Sequence, residues 1–129
     1  MNYKKIIYVA GKFQNNPENK KSIESACTWL YKKYNREFLF VNGVDAFGFY
    51  YDCTTQREGH RMCKFLLDQC DAIVTIGDYE SSVGTYVELM IAEMSNKPIF
   101  EKIDCEGFDW EAFEDYIFDK SRSVSNWKM

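Results

Sequence analysis

Two short runs constrain this chain most: Ile6-Ile7-Tyr8-Val9-Ala10 and Asp71-Ala72-Ile73-Val74-Thr75-Ile76-Gly77. Each is a nearly unbroken apolar stretch of strand length, rich in β-branched residues. A run of this kind has no polar face to offer water, so it must be covered on both sides, as the strands of a parallel sheet are. Elsewhere the apolar spacing changes to three and four. Residues 18–34 put Ile23, Ala26, Cys27, Leu30 and Tyr31 on one helical stripe,. Residues 37–41 read as a second strand, followed by an irregular segment opened by Asn42-Gly43 that carries Asp45, Phe47, Phe49, Tyr50, Tyr51 and Asp52. Thr55 is a candidate cap for a helix over 56–69, with Met62, Phe65, Leu66 and Gln69 inward,. After the strand at 71–77 and a loop to Ser82, a third helix runs to about residue 95 on a stripe of Val83, Val87, Met90, Ile91 and Met94. A strand over 97–100 and a helix over 109–118 complete the pattern, and residues 121–129 form a polar tail.

Strand and helix alternate throughout. The spacing therefore predicts one α/β domain over residues 1–129: an open parallel sheet of four to five strands, Rossmann-like or flavodoxin-like, with helices on both faces. Sheets of this class bind ligands outside the carboxyl ends of their strands, where the strand order reverses. Here those ends are Gly11-Lys12-Phe13, the aromatic segment after Val41, and residues 77–82. The least regular segments thus converge on one edge.

Composition narrows the function. With a formal net charge of −4, the chain lacks the broad basic footprint of a duplex-binding protein,. No stretch approaches the ~18 apolar residues of a membrane span, and the apolar run at 6–10 is too short for a signal peptide. Five cysteines, odd in number and without a C-x-x-C pair, point to reduced thiols in a cytoplasmic protein,. With one histidine, His60, and no C-x-x-C pair, a zinc site is not expected,. The acidic residues Asp104, Glu106, Asp109, Glu111, Glu114 and Asp115 read as a solvated face at a helix start,.

The richest segment is the one from Cys70 to Glu88. Ser81, Ser82 and Gly84 stand at a helix N-terminus, where unsatisfied amides favour an anion, and Glu88 follows about a turn later,. Spacing alone fits both a capping serine with a surface glutamate and a binding site with a catalytic carboxylate.

The ordered motifs Ile7-Tyr8-x-Ala10-Gly11-x-Phe13, Leu66-Leu67-x-x-Cys70-Asp71-Ala72-Ile73 and Ser82-x-Gly84-Thr85-x-x-Glu88 resemble the nucleoside 2-deoxyribosyltransferase-like superfamily. Within it the chain looks like a branch of small proteins classed as a domain of unknown function. The resemblance spans most of residues 6–100. It implies a glutamate nucleophile at Glu88, oriented by Tyr8, that attacks C1′ of a 2′-deoxynucleoside or its 5′-monophosphate. Water or a second base then resolves the glycosyl ester, and the resemblance implies no organic cofactor. It implies a substrate site around Gly11, Lys12, Phe13, Asp45, Ser81, Ser82 and Gly84. Serine at position 82, where transferases acting on free nucleosides often carry aspartate, favours a 5′-phosphate; a plain capping role fits equally. The resemblance also implies a homodimer or larger homo-oligomer, for which Trp110 and Trp127 are the candidate interface rings. Cys63 stands where the superfamily usually places an aspartate that handles the leaving base, with Asp45, Asp52 and Asp68 as possible substitutes. A non-catalytic nucleotide-binding module on the same fold is the alternative.

Overall fold

The computed structural model describes residues 2–120, so the 121–129 tail, Trp127 included, lies outside the described residues. Four strands form one parallel sheet: β1 (Ile6–Ala10), β2 (Leu39–Val41), β3 (Ala72–Thr75) and β4 (Ile99–Phe100). Their order is β2-β1-β3-β4. The chain first winds one way from β1 to β2 and then returns to the other side, so the switch point lies between β1 and β3.

The alternation along β1 divides the core. Ile7 and Val9 join Ala72, Val74 and Ile76 on one face, under α1 (Pro17–Lys33) and the later helix of residues Trp110–Ile117. Tyr8 and Ala10 point the opposite way with Ile73, against the helices Gln56–Asp68 and Val83–Met94. A one-residue slip of β1 would exchange the two faces, so burial on both sides fixes where Tyr8 points.

Helix ends follow their local chemistry. Asn16 caps α1 by accepting from the amides of Glu18 and Asn19, Pro17 opens it, and Lys32 and Lys33 occupy its last turn,. The segment after β2 is more ordered than its sequence suggests. Asn42 caps a short helix, α2 (Gly43–Phe47), and a 3₁₀ turn covers Gly48–Tyr50. Thr55 and Glu58 form a reciprocal capping box on α3 (Gln56–Asp68),. Ser82 caps α4 (Val83–Met94), and Asp109 caps α5 (Trp110–Ile117).

Two predicted stripes are rotated. On α3, Cys63, Leu66 and Leu67 turn inward, as does Cys70 just past the helix end, whereas Phe65 and the C-cap Gln69 are exposed. On α4, Thr85 and Ala92 are buried while Val83, Met90 and Met94 face outward. This helix is apolar around most of its circumference, so periodicity alone does not choose its inner side. Trp110, a candidate interface ring, is half-buried and packs edge-to-face on Trp29 and Phe108 of its own chain, with the Lys33 ammonium 4.8 Å from its ring centre. Among the described residues no helix is long and apolar enough to cross a membrane.

Candidate active site

The carboxyl edge of β1 opens into a cleft of about 610 Å³. Its floor is Val9, Ala10 and Gly11; one wall is the start of α4, from Ser81 to Glu88; the other is α2 with one face of α3. Gly11 is small for a packing reason: a Cβ there would stand 2.9 Å from Cγ1 of Ile76. The loop after β3 begins at Gly77, whose φ of +62° suits glycine and whose amide donates to Asp104 at 2.9 Å,.

Glu88 reaches this cleft from α4, half-buried. Tyr8, fully buried on β1, donates its hydroxyl proton to Oε2 of Glu88. The Cys63 thiol on α3 is hydrogen-bonded to the same carboxylate. Three elements therefore meet on one carboxyl group. Burial pushes Glu88 up to about 7, while the donors Tyr8 and Cys63 oppose that rise by stabilising the charged form,. Burial likewise lifts Tyr8 well above its usual range, with the Glu88 charge adding to it, and pushes Cys63 up to about 11. Both stay protonated near neutrality and serve as donors to Glu88.

Gly43, the first residue of α2, makes the arrangement possible. Any side chain there would collide with the Tyr8 hydroxyl and press on Cys63 Sγ. Its Asn-Gly setting reads as a turn signal, and that ordinary role hides the close approach.

Ser82 is buried and its Oγ accepts from both the amide (3.2 Å) and the hydroxyl (3.0 Å) of Thr85. With both lone pairs used, its one proton is left to donate toward the cleft that the residue lines,. The capping and ligand-binding roles are thus compatible in one side chain. Ser81 and Gly84 also line the cleft; Gly84 meets nothing closer than Ser82 Oγ, 3.9 Å from where its Cβ would be. The amides of Val83 and Gly84 precede the first intrahelical bond, from Tyr86 to the Ser82 carbonyl,. Glu80, an acidic neighbour of these amides, is paired with Lys102, which also lies 5.8 Å from the centre of the Tyr79 ring.

Gly11, Phe13, Ser81, Ser82, Gly84 and Glu88 are thus brought together, with Tyr8 beneath them. Lys12 and Asp45 are not. Lys12 is half-buried outside the lining, and Asp45 turns toward α1, accepting from Asn42 at 2.9 Å and lying 3.9 Å from Lys20. Asp52 and Asp68 are exposed and also outside the lining. Of the aromatic segment, Phe47 and Tyr51 line the cleft, with Tyr51 edge-to-face on Phe13 at 5.5 Å; Phe49 and Tyr50 pack on each other outside it. His60, a helical residue whose sequence context fits either a surface position or a base or proton-donor role, is half-buried in the cleft wall. The signal was its spacing: it precedes Cys63 by three residues and so shares its helical face,.

Residues 5–101, from the edge of β1 to just past β4, match the family described as a domain of unknown function, DUF4406. The chain belongs to this family. No curated protein matches it. The DUF4406 match contains the whole cleft lining, from Val9 to Glu88, together with Tyr8; α5 lies beyond it.

Proposed function

We propose that this DUF4406 protein cleaves the N-glycosidic bond of 2′-deoxynucleosides or their 5′-monophosphates through Glu88, passing the sugar to water or to a second base. The observation that carries this reading is the Tyr8–Glu88 pair beneath the cleft. A carboxylate held there by a buried hydroxyl is fixed in orientation, as a nucleophile must be. It attacks C1′ as the base departs, and its charge stabilises the oxocarbenium-like transition state before the new bond is complete. The resulting ester is opened by water, or by another base entering the same space.

The start of α4 suits a 5′-phosphate. It offers the Val83 and Gly84 amides, the Ser82 hydroxyl and the helix dipole, and Lys102 offsets Glu80 beside them,. Phe13, Phe47 and Tyr51 give apolar walls on which a base can rest,.

The test is chromatography of free base after incubating the protein with deoxynucleosides and their monophosphates. Release by wild type and none by Glu88→Ala is expected; no release by wild type from any of them overturns the reading. A calorimetric comparison of nucleoside with monophosphate checks the phosphate site. Charge-assisted hydrogen bonds contribute about 1.5–3 kcal/mol each, so removing the phosphate should weaken binding by roughly one to two orders of magnitude. Ser82→Ala should shrink that difference; an unchanged difference reduces Ser82 to a cap.

A further inference from the structure

The nucleophile accounts for only one end of the bond that breaks. When C1′–N is cleaved, its electron pair goes to the base, and a purine or pyrimidine leaves far more readily if a proton arrives with it. Cys63, in the cleft wall, is poorly suited to supply one: its thiol is already hydrogen-bonded to Glu88. Asp45, Asp52 and Asp68 lie outside the lining. Tyr51 contributes a ring packed against Phe13.

We infer that His60 is the general acid that protonates the departing base, an assignment that rests on the glycosidic reading of Glu88. His60 lines the cleft from α3, half-buried, on the helical face that carries Cys63 to Glu88. Gly59 beside it leaves open space, with nothing within 4 Å of where a Cβ would stand. That gap gives a flat base room to lie along α3 within reach of the imidazole. Gln56, one turn earlier on the same wall, offers an amide to the base edge,. Imidazole is also the side chain whose proton exchange is matched to neutral conditions.

The step balances. Glu88 oxygen forms a bond to C1′, the C1′–N bond breaks, and the imidazolium N–H passes its proton to the base nitrogen that takes the electron pair. His60, now neutral, accepts a proton from the water that attacks C1′, as the ester C1′–O bond breaks and Glu88 leaves as carboxylate. The imidazolium is restored, and the products are free base and 2-deoxyribose or its phosphate.

The test compares two leaving groups. An ordinary deoxynucleoside or monophosphate needs the proton; its N7-methylguanine counterpart carries a positive charge and departs as a neutral base without one. His60→Gln should slow single-turnover base release from the ordinary substrate by about 10²–10⁴-fold. It should leave release of 7-methylguanine within a few-fold of wild type. His60→Ala should give the same split, and a thermal melt of each variant confirms that the fold is intact. Equal loss on both substrates, or no loss on the ordinary one, overturns the role of His60 while Glu88 stands. If wild type and Glu88→Gln release both bases at the same rate, the glycosidic reading itself fails, and the acid with it.

Discussion

At the residue scale the site is a contest between burial and hydrogen bonding on one carboxyl group. Burial raises Glu88 to about 7 and the donors Tyr8 and Cys63 hold it down. A nucleophile must be ionised, so release of 7-methylguanine, which needs no acid, should rise with pH and level off above about 7,. Tyr8→Phe deletes a donor to the charged form, and the carboxyl should then titrate higher still. A hydrogen bond to a charged group contributes about 1.5–3 kcal/mol, so the acidic limb of the pH–rate profile should move up by about one pH unit or more. An unmoved limb would mean that another group sets it. The same residue leaves a mark on stability. Unfolded, Glu88 titrates near 4.5; folded, near 7. Between those values the native state holds the extra proton, so stability is greatest below the lower value and falls as pH rises through 7. Glu88→Gln removes that decline, and relative to wild type it should gain up to about 3 kcal/mol between pH 4.5 and 8 in denaturant titrations.

At the scale of elements, two glycines with similar sequence credentials should behave in opposite ways. Gly43 opens α2 against the Tyr8 hydroxyl and Cys63, so Gly43→Ala must displace the pair that holds Glu88. Overpacking of this kind costs about 1–3 kcal/mol, and catalysis should fall with it. Gly84 on α4 faces open space, and Gly84→Ala should stabilise the helix by about 0.5–1 kcal/mol while its methyl narrows the cleft at the start of α4,. Melting curves of the two variants check both signs. The contrast marks what a sequence carries and what it does not. The apolar run of β1 and the Thr55 and Ser82 caps report local chemistry, so the elements were legible in the residues, whereas the Ser82–Glu88 spacing alone left Glu88 open between a surface residue and a cleft carboxylate. The direction in which Asp45 points, the inner face of α4, and the closeness of Gly43 to Tyr8 depend on residues distant in sequence. His60 lies between these cases, because its helix was evident but the cleft it faces is built by three other elements.

At the scale of the whole molecule, the outer face of α4 is an apolar surface that the described residues leave uncovered. Val83, Tyr86, Met90 and Met94 follow helical spacing and are 61%, 47%, 53% and 78% exposed,. Phe65, on the neighbouring helix α3, is 66% exposed. α4 carries no lysine or arginine, and a stripe of large apolar side chains along one helix is the kind of surface that marks an interface,. A second copy of the chain is the occupant to expect, because a two-fold axis across α4 matches the stripe with itself and needs no other partner. Val83 also lines the cleft, so burying this face would bring the second copy to the cleft mouth at the start of α4. Light scattering at micromolar concentration should therefore give twice the chain mass, and Met90→Glu with Met94→Glu should return a folded monomer. That monomer should also bind nucleotide more weakly, since the mouth of its cleft is then open to water. A wild-type chain that is monomeric under these conditions would show that α4 carries its apolar stripe for some other purpose.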